Sequence, residues 1–366
     1  MKRKPPFRAD MVGSLLRSPA LKDARAKREA GTITPEALKK VEDAEIKVLV
    51  KKQEEIGLQA VTDGEFRRAF WHFDFLEHLT GVEGIASEGI AFKGVTTKGH
   101  SIRVVNKIDF PANHPHLAHF KYLAKVTGKV PKMTIPSPSM LHYRGGKASI
   151  NATVYKDMDA YFDDLGKAYA KAVKAFYQAG CRYLQLDDTS LSYFCDPEQR
   201  AMLAKRGDDP ERLMAAYRDV INAATKDRPD DMVITTHTCR GNFKSTFIAS
   251  GGYEPVADML FNQIDVDGYF MEWDDERSGG FEPLRFLPKR GKHVVLGLVS
   301  TKVGDMEDKD NLKRRIENAA RFAPLSQLCL SPQCGFASTE EGNLLAEESQ
   351  WNKLARVVEV AREVWG

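Results

Sequence analysis

The sequence predicts an α/β protein built as a (β/α)8 TIM barrel, with a β-hairpin inserted after the second strand. Three observations carry that prediction. Short apolar or β-branched runs alternate with longer segments of helical periodicity, the order of a parallel sheet with crossover helices. Eight such units fit within 366 residues, a length that α/β barrels reach as one unit. One segment, 81–110, breaks the rhythm with glycine-punctuated alternation.

The expected strands, in order, are 10–15, 58–62, 132–135, 183–186, 232–236, 268–272, 293–298 and 327–330. Between them, 34–56, 157–179, 210–225 and 310–323 repeat apolar residues at helical spacing, and 349–365 is amphipathic and closes the outer ring. In 81–110 the string "GIAFKGVTTKGHSIRVVNKIDF" reads as a hairpin on the loop side of the barrel, placed to cover a site or to decorate the surface. No Pro/Ser-rich linker, low-complexity tract or short repeat divides the chain, so a single catalytic barrel over 1–366 is expected.

Composition narrows the class. Lys and Arg (54) nearly balance Asp and Glu (51), and no basic stripe is interleaved with aromatics, which argues against nucleic acid. No apolar run is long enough to cross a bilayer, and the basic start "MKRKPPFRADMVGSLL" lacks a following apolar core, so a cytoplasmic protein is expected. Five widely spaced cysteines are not a disulfide framework. Cys181, Cys195 and Cys329 lie among apolar residues and read as inert core thiols. Cys239 and Cys334 each end an apolar run and open a polar or Gly-containing loop.

In a barrel, residues just past the strand ends converge on one face. Strands five, six and eight bring His237, Cys239, Glu272 and Cys334 to that rim. An imidazole, two thiolates and a carboxylate suit tetrahedral zinc; the alternative keeps Glu272 outside the ligand set, with water fourth. Two thiolates and a carboxylate outweigh a dication, so the centre is a poor activator of water. It suits lowering the pKa of a substrate thiol for alkylation, with Glu272 exchanging for that thiol.

The motifs "HTCRGN", "GYFMEWDDERSGGFEPL", "LGLVSTK" and "LSPQCGFAST", in this order at successive strand ends, resemble the single-domain bacterial relatives of cobalamin-independent methionine synthase. The similarity runs from "RADMVGSLLRSP" to the last helix. It corresponds to the C-terminal catalytic barrel of the long synthases, whose N-terminal barrel is expected to be missing here. The resemblance implies Zn2+ on His237, Cys239, Glu272 and Cys334, and homocysteine held by Ser14, Glu65 and Asp187, with Glu272 and Asp187 catalytic. It implies methyl transfer from a methyltetrahydropteroyl-glutamate to homocysteine, giving methionine.

Two departures bear on the donor. Met11 stands where shorter relatives have His, and Val299 where long synthases carry a histidine that assists proton transfer. His142, Asp188 or a water are the candidate substitutes. Lys93, Lys98, Arg103 and Lys107 on the insertion offer charge to a polyglutamyl tail, and "FWHFDF" and "PSPSM" offer either a surface for a pterin ring or core. A methylcobamide donor, a methyl-carrying partner protein, another thiol acceptor such as coenzyme M, a homodimer, and a non-catalytic zinc or thiol sensor stay open.

Overall fold

In a computed structural model, residues 4–92 and 94–366 are described. Their strands in chain order are β1 (Ala60–Val61), β2 (Thr80–Ile85), β3 (Ala91–Phe92), β4 (Val95–Thr96), β5 (Ser101–Asp109), β6 (Val130–Pro131), β7 (Met133–Pro136), β8 (Tyr183–Asp188), β9 (Val233–Thr238), β10 (Gly268–Glu272), β11 (His293–Val299) and β12 (Leu328–Pro332). Six of them form a parallel sheet in the order β12-β11-β10-β9-β8-β7. Beyond β7 the sheet continues through β6 to β1, since Lys132 N–H donates to Val61 O at 2.9 Å and Val61 pairs with Pro131. Beyond β12 it reaches the start of the chain, where Asp10 N–H donates to Leu330 O at 3.0 Å and Leu330 N–H to Arg8 O at 2.9 Å. Leu15 N–H then meets Gly64 O at 3.1 Å, and the strands follow one another round a ring of the TIM-barrel kind.

Expected strand 10–15 is irregular, with a bridge only at Ala9 opposite Leu330. Side chains take its backbone groups instead. Asp10 caps the N–H of Phe7 and Met11, Lys132 Nζ donates to Met11 O, Gln185 Nε2 to Val12 O, and Thr62 Oγ1 to Gly13 O. With the carbonyls of Met11, Val12 and Gly13 taken by side chains, a continuous ladder cannot form, and only isolated backbone bonds such as those of Asp10 and Leu15 remain. Expected strand 58–62 shortens to β1 because the Gln53 amide pairs with both backbone groups of Thr62, at 2.9 and 3.0 Å.

The long helices surround the sheet. Pro19–Glu29, Pro35–Glu55, Pro197–Lys205 and Pro210–Thr225 start the same way: Ser18, Thr34, Asp196 or Asp209 accepts from the first turn, and Pro follows at the first helical position. The side chain satisfies an orphan donor and proline lacks one to satisfy, so these helices begin at defined residues. The inserted hairpin is also present: β2 and β5 are antiparallel, with Val82 opposite Val104, and β3 and β4 form a smaller hairpin at its tip. Its base is rooted in the core through Val82, Ile102, Val104 and Ile108.

Register positions the site. Asp187 on β8 lies opposite His237 on β9, and Glu272 on β10 lies opposite Gly297 on β11. Parallel strands in level register put their C-terminal residues on one rim. Below that rim the interior holds Val12, Phe270, Val295 and Cys329. Beside them is a buried ion pair, Lys132 Nζ to Asp10 Oδ1 at 3.3 Å, with the ammonium 3.9 Å from the Phe270 ring centroid. Tyr183 completes this layer by donating its hydroxyl to Asp10 Oδ2 at 2.9 Å.

Candidate metal centre and substrate pocket

His237 is the penultimate residue of β9 and Cys239 follows that strand directly. Glu272 ends β10, and Cys334 comes two residues after β12. The four are buried, and one ligand atom from each lies within 4.8 Å of all the others. Cys239 Sγ and Cys334 Sγ are 3.4 Å apart with no disulfide between them.

Surrounding groups orient these donors. Cys239 N–H donates to Asp188 O at 2.7 Å, fixing the turn that aims its sulfur. Glu272 Oε1 accepts from Arg240 N–H at 2.9 Å and Oε2 from the Arg277 guanidinium at 3.0 Å. His237 Nδ1 lies 3.2 Å from Phe270 O, which assigns its proton to Nδ1 and leaves Nε2 as the acceptor. Nε2 is buried and has no hydrogen-bond partner. Such an orphan beside two sulfurs and a carboxylate is the arrangement that a soft divalent cation satisfies.

Without a metal the donors share a proton among themselves. Burial opposes charge on His237, but Cys334, Asp187 and Glu272 outweigh it and lift the imidazole to about 9, so the ring holds a second proton, at Nε2, that a bound cation would displace. Contacts from Cys239 and His237 hold the Cys334 thiol well below its ordinary value against the effect of burial. Of this sulfur pair Cys334 is the thiolate, while its contact and burial hold Cys239 well up as the thiol that donates to it, so a metal would displace that proton too. Away from the site, burial alone pushes Cys181 and Cys329 up to about 12 and Cys195 up to about 11. They stay thiols, in keeping with inert core residues.

A pocket opens over three of the donors and is lined by His237, Cys239, Cys334, Ser14, Glu65 and Asp187. Glu272 lies behind this lining. Ser14 meets the loop after β12, where its carbonyl accepts from Phe336 N–H at 2.9 Å and its hydroxyl from Ala337 N–H at 3.4 Å. A Cβ on Gly335 would collide with Ser14 Oγ, so only glycine lets these segments approach.

Glu65 follows Gly64 in a turn where both residues have left-handed φ, 61° and 64°. That conformation is costly for a glutamate and is a common signature of a side chain held for use. Its Oε1 accepts from Thr134 Oγ1 at 2.9 Å and lies 3.3 Å from Arg68, while Oε2 is buried without a partner. Burial raises its pKa despite Arg68 and Arg17. Asp187 accepts from Gln185 Nε2 at 2.7 Å, and burial raises it to about 7 despite the nearby His237.

The insertion roofs this cavity. Ile90, Phe92 and Thr97 line it, and Phe92 lies 5.3 Å from Phe243 of the loop after β9. The "FWHFDF" segment divides: Phe70, Trp71 and His72 line the cavity, whereas Phe73 and Phe75 belong to the core. The "PSPSM" residues, 136–140, are buried outside the lining.

Neither proton-donor substitute reaches the cavity. His142 is buried, with Nδ1 2.8 Å from the Tyr217 hydroxyl. Asp188 is buried and accepts from Ser139, from Ser190 Oγ at 2.7 Å and from Leu191 N–H at 2.8 Å. The basic residues expected to meet a polyglutamyl tail are engaged elsewhere: Lys98 with Glu340 at 2.8 Å, Arg103 with Glu83 at 3.2 Å and Lys107 with Asp164 at 3.0 Å. Lys93 lies outside the described residues. Sequence reasoning missed Arg144 and Phe243 as lining residues, and touched His72 and Asn242 only within "FWHFDF" and "HTCRGN". Only the position of Arg144 beyond the third expected strand, and of Asn242 and Phe243 beyond the fifth, could have suggested them.

Comparison with known proteins places this geometry. Residues 7–363 match the family described as the catalytic domain of cobalamin-independent synthase. A Bacillus subtilis protein named YxjH, described as uncharacterised, is 54% identical over 99% of this chain and 96% of its own length. A methionine synthase from Pyrococcus abyssi is 26% identical, covering 92% of this chain and 86% of its own. A candidate vitamin-B12-independent methionine synthase from Listeria monocytogenes, known from its crystal structure, is 46% identical and superposes with a TM-score of 0.82 over 100% of both chains. The chain belongs to the family of cobalamin-independent methionine synthase catalytic domains.

Proposed function

We propose that this chain works as a single catalytic barrel over 1–366 that methylates the thiol of homocysteine, with a methyltetrahydropteroyl-glutamate as donor and Zn2+ held by His237, Cys239, Glu272 and Cys334. The observation that carries the proposal is the placement of four converging donors, one with an orphaned buried Nε2, at a cavity that also presents Ser14, Glu65 and Asp187. The name of the Pyrococcus abyssi relative points to the same product. When bound, zinc supplies a lowered thiol pKa, so that the acceptor sulfur is a thiolate in neutral solution.

The chain's own groups do the rest. Glu65 Oε2, unpartnered in the protein, and the Asp187 carboxylate hold the substrate ammonium by charge-assisted hydrogen bonds. The Ser14 hydroxyl donates to the substrate carboxylate. Arg240 N–H and Arg277 hold the Glu272 carboxylate in place while the acceptor enters. Phe92 and Ile90 of the insertion shield the reacting sulfur and methyl carbon from water.

The test offers homocysteine to the zinc-loaded protein with methyltetrahydropteroyl mono- or triglutamate, or with methylcobalamin, and measures methionine. Methionine from either folate donor is expected. Methionine from methylcobalamin alone would overturn the donor assignment, and none from any donor would overturn the acceptor.

A further inference from the structure

Among the described residues, Arg144 is the sole lysine or arginine lining the cavity. It directly follows the short helix Met140–Tyr143 beyond β7, so it enters from a different side than the donors on β9, β10 and β12. Other arginines near the site do not line the cavity, and Arg240 among them is buried over the Tyr253 ring at 4.3 Å. Arg17 donates to Leu15 O and Ala337 O, Arg68 pairs with Glu65, and Arg206 pairs with Asp208. The Arg144 side chain has no ion-pair or hydrogen-bond partner among the described residues, and its Nε is buried. An uncompensated guanidinium in a partly desolvated wall is costly unless a ligand brings the counter-charge.

A second group points the same way. His72 is 1% exposed, lines the same cavity, and has no partner at either ring nitrogen. Its ring is clamped between Trp71, 4.4 Å away, and Phe73, 3.8 Å away, so it cannot turn to find one. Burial, with the field of Arg144 added, holds it well below its ordinary pKa, and it faces the cavity as a neutral imidazole with one donor and one acceptor. Above these groups, Phe92 and Phe243 add flat apolar surface.

We infer that Arg144, with His72 beside it, forms the carboxylate-binding subsite for the methyl donor, distinct from the amino-acid subsite of Ser14, Glu65 and Asp187. The inference rests on the folate donor proposed above. The geometry favours the donor over the acceptor. Glu65 is held by Thr134 and Arg68 and Asp187 by Gln185, and none of these contacts involves Arg144, which stands at the end of the helix Met140–Tyr143. The acceptor's carboxylate shares one carbon with its ammonium and so stays beside Glu65 and Asp187. The donor's glutamyl carboxylate is carried on a flat aminobenzoyl arm that suits the Trp71, Phe92 and Phe243 surfaces. A planar guanidinium can grip it bidentately.

The test compares two ligands, with and without the aminobenzoylglutamate arm, 5-methyltetrahydropteroylglutamate and a 5-methyltetrahydropterin, and Arg144→Gln isolates the share that the carboxylate contributes. Binding to zinc-loaded protein is followed by calorimetry, so turnover is not needed. The glutamate-bearing ligand should bind more tightly, and Arg144→Gln should remove roughly tenfold or more of that preference. Arg144→Lys should restore part of it, and homocysteine affinity and zinc content should not change. Equal affinities for the two ligands in the unsubstituted protein, or a preference untouched by Arg144→Gln, would overturn the subsite. A loss confined to homocysteine would overturn it too and give Arg144 to the acceptor. Methionine formed from methylcobalamin alone would defeat the proposed donor, a separate result from a failed Arg144 contrast in a protein that does bind folate.

Discussion

At the scale of single residues, the pocket separates two tasks that substitution can tell apart. In the proposed function Cys239 and Cys334 hold the metal, and Cys239→Ser or Cys334→Ser should lose most of the zinc while the barrel stays folded, as metal analysis and circular dichroism would show. Glu65 and Asp187 are proposed to hold the substrate, and Glu65→Gln or Asp187→Asn should keep the zinc yet weaken homocysteine by roughly 1.5–3 kcal/mol in calorimetry. Full zinc in both cysteine variants, or unchanged homocysteine affinity in both carboxamide variants, would break the division. The four proposed metal donors could be listed in advance because soft ligands and a carboxylate stood at strand ends, where a barrel brings them together; the substrate roles of Ser14, Glu65 and Asp187 came only from the family resemblance. Arg144 was not legible, and His72 only as part of the aromatic run "FWHFDF". Nothing in "HYRGG" or "FWHFD" tells which polar atoms find protein partners, and being unpartnered is what marks them.

At the scale of elements, legibility followed how much of an element's bonding is its own. The helical segment expected at 157–179 appears as Met158–Gln178, because backbone bonding within a helix needs no distant help. The segment at 10–15 did not form a regular strand, since Lys132, Gln185 and Thr62, remote in sequence, took its carbonyls. Helix Pro115–Val126 carries a consequence for pH. At its start, His114 Nδ1 accepts from His116 N–H at 3.2 Å and Nε2 lies 3.1 Å from Phe75 O, an arrangement that only the neutral ring can hold. Burial lowers His114 to about 4 and His116 well below 6.5. The unfolded chain takes up these protons near pH 6.5 and the folded chain does so only at lower pH. Stability is therefore full above about 6.5 and is lost as pH falls from there through the folded values, by roughly 1.4 kcal/mol per pH unit for each ring. Urea denaturation between pH 7 and pH 4.5 should show the slope, and His116→Phe should flatten it. An equal slope in that variant would refute the assignment.

At the scale of the whole molecule, the four proposed metal ligands stand on or just after strands that the chain supplies far apart, β9, β10 and β12, with β11 running between the last two. An ion that binds only the folded form stabilises it by mass action, by about 4 kcal/mol at a thousand times its dissociation constant. Chelation should therefore lower the unfolding temperature by several degrees, and added zinc should restore it. A scan unmoved by a strong chelator, with metal loss confirmed, would remove the centre from the fold's support. Among the described residues no helix is long and apolar enough to cross a membrane.

The close approach of Gly335 to Ser14 has a consequence for the making of the protein. A growing chain presents Ser14 early, and later His237, Cys239 and Glu272. Cys334 and Gly335 leave the ribosome only after more than 300 other residues. Until then the metal set has three members, and Ser14 lacks the loop it rests against. An interrupted translation product ending before Cys334 would thus carry two soft ligands and a carboxylate with nothing to complete them. If the proposed function holds, metal loading and recognition of the amino acid would both wait on the loop after β12.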